Sequence, residues 1–499
     1  MLCDLPYLKL AVVALVATLF LAAYLLAGST HKSWAVNEVP VSFWAWKTST
    51  PSDEVVRSVQ KRSGMNVLFL RAGQFDLKAG EVTRIRTVSG QVPKAVEVHF
   101  VYNATRELLK DIESVEPEKL AAAVAATYLS DIEKHASRGA KIVGVQLDLD
   151  YPTRLLPRYA EAVHELRKQL PLGTVLSVTG LPTWMSSQEV SLLLNNVDFW
   201  IPQLYGSEIP TRIDSAARIS SLRDIYRSVI GARKLGKPFF AGLAAYGYAI
   251  HYDMNGELVE VRGDIDPQAA LDHDSLEFVR QEDLGGNLRL VLRATSDLVL
   301  DGLVIAKGES LVFDIPTTDS LREAARIVRE EAGDHLRGIC IFRLPTVEDQ
   351  TTLRLGEIVD ALQDKRLVSS TEISITRVSD QQVRFTAVNA GSTSSFMVGA
   401  LTIDLRVPVG SVKGVAAIDG FTGFETLCGS DADVPRKCST ARANVIRLTK
   451  NSRRPGDTPS ISLRVALQQT EITAIVTTRT ENGRIERIQK RIAIEEQRQ

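Results

Sequence analysis

Two aspartates two residues apart, Asp148 and Asp150, are the side chains of this sequence best suited to acid–base chemistry. They end an apolar stretch that is typical of a β-strand, where alternate side chains share a face. Gln146, Asp148 and Asp150 then lie on one face, and the aliphatic residues of 143–149 lie on the other. Burying unpaired carboxylates is costly, and neighbouring carboxyl groups raise each other's proton affinity. The pattern predicts that both acids line a wet cavity, with Asp150 as general acid or base and Asp148 as its electrostatic partner.

Polar side chains of the two preceding predicted strands are candidates to face the same cavity. Glu97 and His99 share a strand face, although His99 is also typical of a core histidine. Arg71 ends the strand before, where it would bind substrate or form an ion pair with Glu97 or Asp148. We therefore expect Arg71, Glu97 and His99 among the substrate-binding residues.

Later strands add candidates at their carboxyl ends. Gln203 and Tyr205 share a face, and Tyr205 is expected to hydrogen-bond substrate or to pack. Arg343 ends the last strand, where its guanidinium would bind a substrate carboxylate in a bidentate manner or form a salt bridge. Glu208, just beyond Tyr205, is a reserve acid.

Three tryptophans are candidate sugar platforms, because aromatic rings bury large areas at low entropic cost. Trp44 and Trp46 alternate on the first strand, where both are also explained as barrel core. Trp184 follows the fifth strand, in a loop that the pattern places at the C-terminal end. It is therefore the better-placed platform.

The elements that position these residues alternate strand and helix from residue 41 to about 362. Eight such units predict an α/β fold, a (β/α)8 TIM barrel over 37–365, in which active sites form at the C-terminal ends of the strands. An open doubly wound sheet is the alternative, but no G-x-G-x-x-G follows the first strand. About 251–334 form a predicted α+β insertion, either a cleft wall or a stabilising decoration.

Residues 366–499 contain only strand patterns, which predict an all-β sandwich. Bracing of the barrel is the favoured role for it, with sugar or protein binding as the alternative. Cys428 and Cys438 flank a polar loop, and in an exported protein we expect them to form a disulfide.

The first 36 residues predict export. Residues 10–28 form an uncharged apolar run close to the ~20 residues that span a bilayer. A cleaved signal peptide usually has a shorter apolar core of ~7–15 residues, so a transmembrane signal-anchor is favoured over cleavage after Ala35. Either alternative places the remainder outside the cytoplasm, periplasmic or at the cell surface.

The net charge and the cysteine spacing limit the classes of partner and cofactor that we expect. The net charge of -1 argues against a nucleic-acid-binding surface. The four cysteines form no CxxC or Cys/His cluster, so no metal site and no cofactor are predicted.

Three strands together resemble the chitinase-type barrels of glycoside hydrolase family 18 and a bacterial family of exported glycosidase-like proteins. The segment 147–151 resembles the D-x-D-x-E strand, and Gln203-Leu204-Tyr205 resembles the Gln/Met-x-Tyr strand that reaches the scissile sugar. The segment 242–247 resembles the G-x-x-x-Y-G strand and adds Tyr246 as a substrate-binding residue. The resemblance implies a barrel that acts on a polysaccharide or glycan.

The sequence departs from that family at two positions. Pro152 stands where the family has its general acid, and proline has no proton to donate. Gly206 stands where an aspartate usually follows the strand-six tyrosine. Two functions therefore remain: a glycoside hydrolase that uses Asp150 and Asp148, or a catalytically inactive barrel that binds glycan or protein.

Overall fold

Eight parallel strands form a closed barrel in the computed structural model, which describes residues 32–47, 49–206, 210–215, 219–283, 287–346, 348–429, 435–466, 470–480 and 484–496. The first strand pairs with both the second and the last, which closes the ring and rules out the open sheet. The barrel strands, labelled β1 to β8 in chain order, are Val41–Ala45, Val67–Lys78, Glu97–Ala104, Lys141–Asp148, Val175–Gly180, Phe199–Pro202, Phe239–Ala244 and Leu336–Phe342.

Helices cover the outside of the barrel, and β2 extends beyond the ring into a hairpin with Glu81–Thr87. The helices of the barrel region are Asp53–Ser63, Arg106–Lys110, Pro117–Ala136, Leu156–Gln169, Val190–Leu194, Leu222–Lys234, Thr318–Glu331 and Leu355–Leu362. Val145, Leu147 and Leu149 of the β4 region belong to the apolar core between the barrel and these helices. The predicted alternation along β4 is therefore confirmed, because Gln146 on its other face lies buried inside the ring.

The barrel interior is filled rather than hollow. Near the N-terminal ends of the strands, Phe69 packs against His99, Phe199 and Phe240 with ring centroids 5.0, 6.2 and 6.0 Å apart. Gly144 makes room for this layer, because a Cβ there would lie 2.6 Å from the imidazole of His99. Any opening must therefore lie at the C-terminal ends of the strands.

The insertion between β7 and β8 is built on a five-stranded antiparallel sheet. Inside it, Arg289 donates two hydrogen bonds of 2.7 Å to the carboxylate of Asp314, and both side chains are buried. Its strands are Tyr248–Tyr252, Leu258–Arg262, Leu276–Asp283, Asn287–Ala294 and Ser310–Pro316, accompanied by the hairpin Leu298–Leu300 and Leu303–Ile305 and the helix Pro267–Leu271.

The C-terminal region is an all-β domain, as predicted, with its own apolar core and a short 3-10 helix, Thr440–Arg442. Cys428 and Cys438 form a disulfide, which confirms their predicted pairing. Its strands are Thr371–Ser379, Gln382–Asn389, Ser395–Arg406, Val412–Asp419, Gly423–Cys428, Arg436–Lys437, Val445–Arg453, Ser460–Val465, Glu471–Arg479 and Ile485–Glu496.

This β domain contacts both the barrel and the insertion. Lys450 donates to Gln268 of the insertion at 2.9 Å, and Arg354 of the barrel donates to Asp457 of the β domain at 2.9 Å. Phe396 of the β domain belongs to the apolar core of the insertion. These contacts support the bracing role.

The predicted N-terminal membrane segment, residues 10–28, lies outside the described residues. Among the helices that the structure describes, none is long and apolar enough to cross a bilayer.

Candidate functional site

Asp148 and Asp150 lie at the C-terminal end of β4. Asp148 is half-buried and accepts a 2.6 Å hydrogen bond from the hydroxyl of Thr179, on the neighbouring β5. Asp150 is exposed, two residues further along. Beyond it, the amide of Tyr151 donates to the carbonyl of Leu149 at 2.7 Å, a tight turn that ends the strand. The turn leaves Asp150 facing solvent at the rim.

The surroundings of these two acids favour their protonated forms. Burial is the main cause that raises the pKa of Asp148 to about 7, and the charge of Asp150 raises it further. The hydrogen bond from Thr179 and the charge of Arg71 act in the opposite direction. Partial desolvation by the surrounding chain also raises the pKa of Asp150, although its side chain is exposed. One proton retained near neutral pH by a pair of carboxyl groups is what a general acid needs.

Arg71, at the end of the barrel part of β2, forms the adjacent section of the rim. Its Nε donates to Oδ1 of Asn103 at 3.0 Å, and Asn103 is the β3 residue in register with Asp148. The guanidinium lies 4.9 Å from the ring centroid of Trp46, so that one face of this tryptophan is covered. Arg71, Trp46 and Asp148 are thus brought together, although Arg71 forms none of the ion pairs expected for it among the described residues.

Aromatic side chains form the opposite section of the rim. Tyr205 lies 6.1 Å from Tyr246 and 5.9 Å from Phe342, between ring centroids. Trp46 reaches the same cluster, 5.4 Å from Phe342. Burial raises the pKa of Tyr205, and the charges of Asp148 and Asp150 raise it further. Gln203 is half-buried beside them, so the two residues of the Gln-x-Tyr segment and Tyr246 all reach the mouth.

Arg343 follows β8 and is already occupied by an ion pair. It donates to the buried carboxylate of Asp349. The same carboxylate lies 2.9 Å from Nζ of Lys47. The amide of Thr346 adds a 2.8 Å hydrogen bond to the same carboxylate. This outcome matches the salt-bridge alternative for Arg343, with a loop aspartate as the partner.

The loop that carries Asp349 is held by the β domain. Arg454 is buried and donates to the carbonyl of Thr352 at 2.6 Å and to the side chain of Gln350 at 3.1 Å. The same loop pairs with the segment after β7, because the amide of Gly247 donates to the carbonyl of Thr351 at 2.8 Å. The β domain therefore supports the section of rim that includes Tyr246.

Four predicted substrate-binding residues lie away from the mouth. Trp44 is inside the barrel, where its Nε1 donates to Gln146 at 2.7 Å. Trp184 is fully buried behind β4 and donates to the carbonyl of Tyr151 at 3.1 Å, so the platform interpretation is wrong. His99 lies in the interior aromatic layer, where burial lowers its pKa to about 4. Glu97 begins β3 and is exposed at the opposite end of the barrel.

Sequence reasoning missed the neutral and loop residues that hold the site, namely Thr179, Asn103, Asp349 and Lys47. Thr179 and Asn103 lie near the ends of predicted strands, a position that would have marked them for inspection. Asp349 lies in a loop and has no comparable signal. The reserve acid Glu208 lies outside the described residues. Within the described ranges, no three His, Cys, Asp or Glu side chains are grouped so as to hold a metal ion.

Residues 110–284 match a family model described as a domain of unknown function, DUF3142, and this range includes Asp148 and Asp150. No curated protein matches the chain.

Among solved structures, the spore cortex-lytic enzyme SleL of Bacillus cereus shares 13% identity, covering 68% of this chain and 76% of that one, with a TM-score of 0.44. A chitinase from Chromobacterium violaceum shares 14% identity over 65% of this chain and 99% of its own, with a TM-score of 0.44. The GH18 chitinase ChiB of Flavobacterium johnsoniae shares 14% identity, covering 67% of this chain and 95% of that one, with a TM-score of 0.36. Because identities and TM-scores are this low, the similarity assigns no substrate or mechanism, and the chain is described by its own strand pairings as a closed eight-stranded barrel with an all-β domain.

Proposed function

We propose that this protein is an exported glycoside hydrolase that cleaves a polysaccharide or glycan at the C-terminal mouth of its barrel. The observation that carries the proposal is the pair Asp148 and Asp150, two carboxyl groups two residues apart at the C-terminal end of β4, where Asp150 is exposed and both pKa values are raised. Glycosidases place two carboxyl groups beside the scissile bond, one of which is protonated to assist the leaving group.

The two acids are suited to different tasks. Asp150 is the more exposed, so it is placed to give a proton to the glycosidic oxygen as the bond to the anomeric carbon breaks. Asp148 is fixed by Thr179 and holds a proton of the pair near neutral pH. Once that proton has passed through Asp150 to the leaving group, the Asp148 carboxylate would stabilise the positive charge that develops on the sugar ring. Water completes the reaction at the anomeric carbon and returns a proton to the pair.

The surrounding rim supports a sugar-binding subsite. Trp46 and Tyr246 present aromatic surface, Tyr205 is buried against Tyr246, and Gln203 supplies amide donors and acceptors. Export is proposed from the apolar run 10–28, as an anchor or a signal, and the disulfide Cys428–Cys438 is consistent with an oxidising compartment.

The test is the release of reducing ends from a panel of polysaccharides by the wild-type protein and by Asp150→Asn. We expect a loss of roughly 10²–10⁴-fold in the variant, the usual contribution of a general acid. Asp334→Asn is the matched control, because Asp334 is exposed beyond the N-terminal end of β8 and should leave turnover unchanged. Full activity of a folded Asp150→Asn variant on a confirmed substrate would refute the assignment.

A second candidate function is glycan binding without catalysis. The observation that favours it is at position 152, where an exposed proline stands in place of the glutamate of the resembled family. If binding survives in the double variant Asp148→Asn/Asp150→Asn and no polymer is cleaved by the wild type, this alternative replaces the hydrolase.

A further inference from the structure

No residue in the described part of the chain neutralises the positive charge of Arg71 through a direct ion pair. Its side chain is half-buried at the rim, and Nε donates to the neutral amide oxygen of Asn103 at 3.0 Å. Among the residues that the structure describes, no carboxylate lies within 4.0 Å of its guanidinium, and its two Nη groups have no described hydrogen bond. A charge that is removed from water is costly unless it is paired or hydrogen-bonded, and Arg71 is half-buried with only its Nε bonded to a described residue.

The charged groups near Arg71 offset its positive charge only in part. Burial and the nearby Arg86 lower the pKa of Arg71 to about 10, while Asp148 offsets only part of this effect. Asp148 itself has a pKa of about 7, so its negative charge is incomplete at neutral pH. On the far side of the rim, the single carboxylate of Asp349 serves both Lys47 and Arg343.

The guanidinium is also held in a fixed plane. It lies over the ring of Trp46, 4.9 Å from the centroid, while Nε is tethered to Asn103. Both contacts leave the Nη edge available, and a planar fork of two N–H donors matches the two oxygens of a carboxylate. A neutral sugar hydroxyl would not offset the charge.

We infer that Arg71 is a specificity residue that binds the carboxylate of an acidic sugar, so that the ligand of this mouth is a uronic-acid-type glycan. The inference rests on the proposed function to the extent that the mouth binds a glycan, but it does not require that the glycan be cleaved. Asn103 is essential to it, because an amide at this position holds the guanidinium in place without neutralising it.

The test measures binding by calorimetry in an Asp150→Asn background, which prevents turnover. The probes are oligomers of polygalacturonate and of hyaluronan, each compared with its carboxyl-reduced form. We expect the carboxylated oligomer of at least one pair to bind roughly 10–100-fold more tightly, as for a charged bidentate contact.

Two substitutions should remove this preference by opposite means. Arg71→Gln deletes the cation, whereas Asn103→Asp keeps Arg71 but supplies a near-isosteric carboxylate at the oxygen now 3.0 Å from its Nε. Both variants should bind the carboxylated and reduced forms within about twofold of each other. Arg377→Gln is the charge-matched control, since Arg377 pairs with Glu496 in the β domain and should keep the preference. Thermal melts verify that each variant is folded.

The outcomes separate this inference from the hydrolase proposal. Equal or absent binding of every carboxylated and reduced pair overturns the role of Arg71, as does a preference that persists in Arg71→Gln. Tight, Arg71-dependent binding without any cleavage by the wild type supports the inference and refutes the hydrolase. If the wild type cleaves only neutral polymers and Arg71→Gln leaves this cleavage unchanged, the hydrolase proposal is supported and the role of Arg71 is overturned.

Discussion

Asp148 is held where its neutral form is favoured, although one hydroxyl and one guanidinium favour its charge. Burial and the adjacent Asp150 outweigh the hydrogen bond from Thr179, and its pKa rises to about 7. An aspartate in the unfolded chain titrates near 3.9. The folded state therefore binds this proton more tightly than the unfolded state does. The stability that this bound proton contributes is therefore lost progressively as the pH rises from about 4 to about 7.

The variant Asp148→Asn should remove this pH-dependent loss of stability. An asparagine still offers an oxygen to Thr179 but cannot ionise. We expect its melting temperature to exceed that of the wild type by about 1 °C at pH 8, the shift that ~1 kcal/mol produces in a chain of 499 residues, and to match it at pH 4. Thermal melts at the two pH values provide the measurement. A difference of the same size at both would mean that ionisation of Asp148 is not responsible.

At the scale of elements, the loop after β4 is fixed by aromatic packing outside the barrel. Tyr151 stacks on Tyr159 of the following helix, with parallel rings 4.3 Å apart, and Trp184 lies against Tyr159 at 6.0 Å. Trp184 also binds the Tyr151 carbonyl. This cluster supports the turn that carries Asp150, which gives Trp184 a structural role in place of a sugar-binding one.

The substitution Trp184→Ala should accordingly destabilise the protein, by about 3–5 kcal/mol, as for other buried large-to-small changes. The midpoint of chemical denaturation gives the comparison. Trp46→Ala is the contrasting variant, because Trp46 is only half-buried at the rim and should lose stability less but glycan affinity more. If Trp184→Ala leaves the denaturation midpoint in place and weakens glycan binding, the platform interpretation returns.

At the scale of the molecule, the mouth depends on a domain remote in sequence. Arg454 of the β domain binds the loop 349–352, and that loop fixes Arg343 through Asp349 and pairs with the segment carrying Tyr246. Burial lowers the pKa of Arg454, and Glu357 and Asp457 act against this shift. Barrel and β domain are thus expected to function as one unit.

Replacing Arg454 by alanine should therefore loosen the loop and the rim beyond it. Amide hydrogen exchange should accelerate by about tenfold or more in peptides covering 343–353 and 245–247, the change expected when ~1.4 kcal/mol of local stability is lost. Arg377→Ala serves as the control, because Arg377 pairs with Glu496 of the β domain instead of this loop. Equal protection of these peptides in Arg454→Ala and wild type would show that the loop holds its position without the β domain.

Much of this arrangement follows from the sequence alone. The two-residue period of a strand predicted Gln146, Asp148 and Asp150 on one face, and repeated strand–helix units favoured a barrel over an open sheet, with its site at the C-terminal ends. The switch to strand-only patterning marked the β domain, and the two cysteines within it predicted the disulfide. Each of these inferences depends on neighbours in the chain or on a rule of the fold.

The tertiary structure decided which side chains meet. Depth along a strand separates Glu97, at the bottom of the barrel, from Asn103, at its rim, although both belong to β3. Burial of Trp184 and the approach of Asp349 to Arg343 depend on packing between segments distant in the sequence. Strand alternation specifies the face of a residue but not its height in the barrel or its partner across it, because both are set by strand register and loop packing.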